Sequence, residues 1–369
     1  IQLLNQGHVE KVIRECELLT EQFPNSYMVW NILGAAYKGL NDLSKAQESF
    51  LKASVLNPLN PDPHNNLGFV LAQQGKYEEA IECYKKVLKI NPDDFETNIS
   101  LGNLLVGERN FDEALSCYKE ALRLKPDFPE AYNNMGNVYR EQGHLDEALS
   151  AFQKAIAIQP DFSSAYYNMG LLKLKQGYWS DGWRDYEHRF ESEAVSSDIL
   201  ISNKPRWEKE FVKKLLVWAE QGVGDEVMFA SCINELKEYT DRLIISCDER
   251  LLPLFNRSFT GGISIIKRDP YINEDFYDSQ IPIGSAFGKL RQSTENFKKT
   301  RYPYLKVDDE RRNHLRKKLE FEAGERQIVG ISWRSNAAKD ADRRSLSLED
   351  LIAVIPEDFF LVNLQYGDT

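Results

Sequence analysis

Glycine recurs every 34 residues through the first half of this chain, at Gly34, Gly68, Gly102, Gly136 and Gly170. Prolines keep the same step at Pro24, Pro58, Pro92, Pro126 and Pro160. So do alanines at Ala46, Ala80, Ala114 and Ala148, each followed four residues later by an aromatic ring: Phe50, Tyr84, Tyr118 or Phe152. Four position classes in one register leave few architectures open. A unit of this length cannot bury its apolar face alone, so neighbours must stack into a continuous core with a concave surface. Small residues belong where helices approach closely, the ring is expected to fill the gap between repeats, and proline closes the second helix.

This period and pattern are the tetratricopeptide signature, two antiparallel helices per unit. Four regular units are expected from about Tyr27 to Phe162, after a partial one. A fifth starts at Ser163, keeps Tyr166, Met169 and Gly170, then departs: Lys173 takes an apolar place and Gly182 replaces the alanine. The aromatic-rich stretch from Gly177 to Glu187 reads as a cap, either plain or docking the next domain. The superhelix is assigned residues 1–190. Asn66, Asn134 and Asn168 each lie two residues before a repeat glycine. They resemble the asparagine ladder in the superhelix of O-linked N-acetylglucosamine transferase, broken here by Ile32 and Ser100. The resemblance implies capture of an extended peptide backbone by carboxamides on the concave face; solvated asparagines on a helix face are the alternative.

Residues 191–212 read as cap and linker, carrying Ser196-Ser197-Asp198 and Asn203-Lys204-Pro205. The pattern then changes. Leu215 to Trp218 is an apolar run fit for one buried strand, Gln221 to Gly224 a turn that two glycines make tight, and from Asp225 the apolar spacing is helical. Further strands are expected at Arg242–Cys247, Ile263–Ile266 and Gln280–Ile283, with a helix at Leu251–Phe255; strands alternating with helices imply a parallel sheet. A basic helix from Asp309 to Glu320 leads to a second start, with a strand at Gln327–Trp333, a helix at Ser347–Ile355 and a strand at Phe359–Leu364. The fold class is therefore an α-solenoid followed by α/β, with one unit at 213–308 and an incomplete one at 309–369. The sequence reads as a fragment at both ends.

The formal net charge of −11 argues against a nonspecific nucleic-acid binder. Five scattered cysteines with no CxxC pair favour reduced thiols and a cytoplasmic setting, with Cys83 and Cys117 as core fillers. No apolar run approaches the ~20 residues of a membrane span, and the histidines show no metal spacing.

The combination of repeats, EQGVGDEVMFA, VGISWRSN and DADRRSLSLEDL resembles bacterial repeat proteins carrying a domain similar to glycosyltransferase family 9, the heptosyltransferases of GT-B architecture. The resemblance implies two Rossmann-like domains, an acceptor bound by the first, a nucleotide-sugar co-substrate bound by the second, and no other cofactor. In it Asp225 matches the general base, and Gln221, Gly222, Gly224 and Glu226 lie where acceptor contacts are expected. Ser332, Ser335, Lys339, Arg343 and Arg344 fall where donor phosphate is expected, with cations in place of a metal. The implied partner is a protein or peptide held by the repeats, with self-association into a homo-oligomer left open.

Other readings stand beside it. An acid in a helix's first turn is favourable by about 0.3–1 kcal/mol whatever else it does. A dinucleotide site fits poorly, because Val227 occupies the third glycine place of GxGxxG and Asp225 would face the pyrophosphate. A P-loop lacks its Gly-Lys-Ser/Thr. A non-catalytic interaction scaffold with a degenerate α/β domain is the main competitor.

Overall fold

The computed structural model describes residues 9–192, 199–300, 303–331 and 359–363. Two compact units emerge: Ile1–Asp198 with Gly284–Lys299, and Ile199–Ile283 with Thr300–Thr369.

The first unit opens with helices α1 (Val9–Gln22), α2 (Tyr27–Gly39), α3 (Leu43–Leu56), α4 (Pro61–Gln73), α5 (Tyr77–Ile90) and α6 (Phe95–Gly107). It continues with α7 (Phe111–Leu124), α8 (Pro129–Gln142), α9 (Leu145–Ile158), α10 (Ser163–Lys175) and α11 (Trp179–Tyr186). These pair as α2/α3, α4/α5, α6/α7, α8/α9 and α10/α11, the repeats the spacing predicts, with α1 left from a partial one. The glycines are required by close approach. A Cβ on Gly102 would lie 2.6 Å from the Tyr118 ring, and one on Gly136 2.5 Å from the Phe152 ring. The ring therefore seats on the glycine of its own repeat, first inside the helix pair rather than between repeats as the spacing had suggested. Ala46, Ala80, Ala114 and Ala148 are fully buried, as are Phe50 and Phe152.

The fifth pair departs for a physical reason. A Cβ on Gly170 would meet the backbone N of Tyr186 at 2.7 Å, and one on Gly182 would meet Leu174 at 2.8 Å. With glycine on both sides, α10 and α11 close until backbone replaces the ring. Lys173, out of place by the repeat pattern, reaches Asp185 at 2.5 Å, a carboxylate whose side chain is 5% exposed.

The apolar face of α11 is covered by the segment after Gly284. Trp183 donates its indole N–H to the Arg291 carbonyl (2.9 Å) and meets Phe287 edge-on at 5.6 Å. Arg189, fully buried, donates to Ser285 Oγ (2.7 Å). Trp179 lies 4.5 Å from Phe297. The segment includes helices α15 (Ile283–Leu290) and α16 (Thr294–Phe297). Residues 284–299, assigned from the sequence to the first α/β unit, thus complete the repeat cap.

The second unit is built on β1 (Val212–Trp218), α12 (Val223–Phe229), α13 (Ile233–Leu236), β2 (Thr240–Cys247), α14 (Leu252–Ser258), β3 (Ile263–Lys267) and β4 (Ser279–Pro282). The sheet is parallel, ordered β3-β2-β1-β4, with Leu216 opposite Ile244 and Gln280. β1 is central, which is why Leu215, Leu216 and Val217 are all fully buried with no alternation. The stretch read as a linker is ordered from 199 onward: Trp207 N–H donates to the Gln280 carbonyl, Gln280 N–H to the Pro205 carbonyl, and the Trp207 ring is fully buried. A helix α17 (Asp309–Ala323) follows, capped by Asp308 accepting from Arg311 N–H, then a parallel pair β5 (Gln327–Ile331) and β6 (Phe359–Asn363). The expected Ser347–Ile355 helix lies outside the described residues.

Candidate functional site

The chain leaves β1, runs through β2 and β3 on one side, then crosses to β4 on the other. The turn after β1 therefore sits where strand order reverses, outside the carboxyl ends of the strands, the usual place for a ligand in an open parallel sheet. Gly222 is the N-cap of α12, so the helix begins at Val223, two residues before the expected Asp225. Neither glycine of the turn has a positive φ. A Cβ on Gly224 would meet nothing within 4 Å, and one on Gly222 would meet only Asp225 Oδ2, at 3.8 Å. The turn is not tight in the sense expected from its sequence. Its glycines leave the backbone bare where the chain itself has room for side chains.

Asp225 is half-buried in the first turn of α12, where the helix dipole favours its charged form. Glu226 behaves otherwise. It is fully buried, accepts the Asp248 N–H (2.9 Å) on Oε2, and takes an ion pair from Arg268 on Oε1. Arg268 also donates to the Gln221 carbonyl at 2.7 Å. Glu226 thus faces protein; burial pushes its carboxyl up, against the opposing pull of the Asp248 N–H and Arg268. Hydrogen bonds from Arg250 hold Asp248 down at about 2. Burial raises the Cys247 thiol to about 12.

Arg268 was absent from the sequence reading. Its signal was charge balance: a cation directly after β3, level with acids that end β1 and β2 at Glu220 and Asp248. Ser332, Ser335, Lys339, Arg343 and Arg344 lie outside the described residues. Among the described residues no cluster of histidine, cysteine or carboxylate has the makings of a metal site, and no helix is long and apolar enough to cross a membrane. All five cysteines are free and buried.

In the repeat unit the three asparagines lie on first helices, Asn66 on α4, Asn134 on α8 and Asn168 on α10, each half-buried. Asn66 Nδ2 donates to Asn31 Oδ1 (3.3 Å) and Asn168 Nδ2 to Asn133 Oδ1 (3.0 Å), links from one repeat to the one before. Lys38 donates to Asn66 Oδ1, and Arg140 to Asn168 Oδ1, both at 3.4 Å. Asn134 turns instead to Asn103 (3.0 Å). The structure brings these asparagines into lateral contact with other groups of the same face, which sequence spacing did not reveal. Burial lowers the Arg140 guanidinium from its usual value.

A tetratricopeptide repeat model matches residues 61–94, and a TPR repeat model matches 34–75, 110–139 and 136–177. Protein FlbA of Caulobacter vibrioides is 33% identical over 208 residues, covering 51% of this chain and 34% of that protein. The match thus spans about a third of the relative's length. The crystal structure of YrrB, described as a TPR protein with an unusual peptide-binding site, is 22% identical, with a TM-score of 0.42, covering 48% of this chain and 91% of its own. MamA of Desulfovibrio magneticus RS-1 is 21% identical, with a TM-score of 0.41, covering 45% and 92%. The first half of the chain is a tetratricopeptide-repeat solenoid.

Proposed function

We propose that this chain is a glycosyltransferase whose repeats recruit a polypeptide acceptor by its main chain. The observation that carries the reading is the β1–α12 turn. It combines a strand-order reversal, two glycines that neither φ nor packing requires, and a carboxylate in the first helical turn. Bare backbone at such a turn is what a closely approaching ligand needs. In the reaction an acceptor hydroxyl oxygen attacks the anomeric carbon of a nucleotide-sugar. The bond from that carbon to the diphosphate oxygen breaks, the hydroxyl proton passes to Asp225, and the nucleotide diphosphate leaves. Lys339, Arg343 and Arg344 are assigned to the leaving diphosphate, with Ser332 and Ser335 as hydroxyl donors.

The test is nucleotide release from a panel of nucleotide-sugars, with a Ser/Thr-rich peptide as acceptor. Asp225→Asn should abolish release while lowering the melting temperature by no more than about 4 °C, the loss of a first-turn charge; retained release removes Asp225 as base. Peptide binding with no release from any donor would instead favour the non-catalytic scaffold.

A further inference from the structure

The two asparagines with a cation partner share one geometry. In each, a cation 28 residues back donates to Oδ1 (Lys38 to Asn66, Arg140 to Asn168), and an asparagine 35 residues back accepts from Nδ2 (Asn31 and Asn133). Both partners belong to the preceding repeat's first helix. Asn134 lacks both partners at those spacings. Counting back from Asn134 by those steps reaches Val106 and Ile99, whose side chains neither donate nor accept. Asn134 accordingly turns its Nδ2 to Asn103, 31 residues back, while its Oδ1 accepts from Asn133 at 3.5 Å.

A carboxamide has two N–H donors and two acceptor lone pairs. At Asn66 and Asn168 one of each is used by the partners above, leaving one N–H and one lone pair. That is the complement of one extended residue, whose own N–H and C=O point to the same side of the strand. With Oδ1 held by the cation, the carboxamide is not free to exchange its two ends. Lys38 is itself held over the Phe69 ring, 4.9 Å from its centroid, which keeps the ammonium in place.

We propose that Lys38 and Arg140 are positioning residues that lock Asn66 and Asn168 in one common orientation, so that a bound extended polypeptide runs in one direction only along the repeat face. The inference rests on the polypeptide-recruiting half of the proposed function and is independent of the chemistry at Asp225.

The probe is a short Ser/Thr/Gly peptide carrying a photoreactive group at either its N-terminus or its C-terminus, bound to the full chain and cross-linked. The N-terminal label is expected to mark the neighbourhood of Asn66 or that of Asn168 but not both, and the C-terminal label the other. Labelling of both ends by both probes in the unmodified protein would overturn the proposal without any variant. Lys38→Met and Arg140→Met should each weaken binding about two- to tenfold, because the freed carboxamide must then be ordered when the peptide binds, and together scramble the labelling. Arg140→Lys should keep both affinity and direction, a rescue that a general packing role does not predict. If Asn66→Ala and Asn168→Ala weaken binding while the cation variants keep affinity and direction, the locking proposal falls and peptide capture stands. If the asparagine variants bind as the parent does, peptide capture on this face falls with it.

Discussion

Arg268, at the end of β3, closes its guanidinium onto the buried carboxylate of Glu226 in α12, and the same side chain holds the Gln221 carbonyl. Two elements far apart in sequence thereby fix the backbone on both sides of the glycine turn. Removing Arg268 alone leaves a carboxylate with 0% exposure and no counter-ion, which costs about 3–5 kcal/mol. Arg268→Met should therefore lower the urea midpoint sharply. The double variant Glu226→Met with Arg268→Met should recover much of that loss; equal midpoints for the single and double variants would show that Arg268 does not compensate the buried charge.

Gly224→Ala separates stability from function. No atom lies within 4 Å of the new methyl group, and the residue is inside a helix. Alanine there should leave stability unchanged or raise it by about 0.5–1 kcal/mol. If a ligand approaches this backbone, nucleotide release should nonetheless fall, and release at the parent rate would remove the turn from the site.

Gly136→Ala drives a methyl group to 2.5 Å from Phe152 Cε1, and overpacking of this kind costs about 1–3 kcal/mol. In a Phe152→Leu background the added cost should be smaller, because the ring that causes the clash is gone. Thermal melts of the two singles and the double give the coupling directly.

Trp183→Ala removes a buried indole, its hydrogen bond to Arg291 and its contact with Phe287. A loss of about 3–5 kcal/mol is expected. A chain lacking residues 284–299 should lose stability in the repeats themselves, read by circular dichroism at the helical band.

Asp248 gives the pH dependence. Its carboxyl is held at about 2 in the folded chain, against 3.8 for the free group. Between those values the unfolded state binds more protons, so this contribution is present above about pH 4 and is lost as pH falls toward about 2. The exposed Arg250 guanidinium limits it to about 1 kcal/mol through solvent screening. Asp248→Asn should be less stable than the parent at neutral pH, with the difference vanishing by about pH 2.

The solenoid was legible because its constraints are local and repeated. Gly102 and Tyr118 are only 16 residues apart, and each repeat restates the same contact, so periodicity alone exposes the fold. The apolar run at Leu215–Trp218 was likewise enough to place one buried strand. The turn after it was legible in its position but not in its geometry. Glycine in a sequence does not say whether φ, packing or a ligand demands it, and here only the coordinates of Asp225 and the empty space beside Gly224 separate the cases. The surroundings of Glu226 were hidden for a related reason. Spacing along a helix gives the face of a side chain, whereas its burial depends on Asp248 and Arg268 arriving from other strands.

The sequence by itself determined the repeat register, the parallel α/β character of the second half and the asparagine positions, since each follows from short-range periodicity and residue type. Only the tertiary structure decided that residues 284–299 cap the repeats, that Pro205–Trp207 pair with β4, and that Asn66 and Asn168 are held by cations while Asn134 is turned away. Those outcomes rest on contacts between residues distant in sequence or one repeat apart. Their distances and directions arise only when the backbones are packed, and no local pattern encodes them.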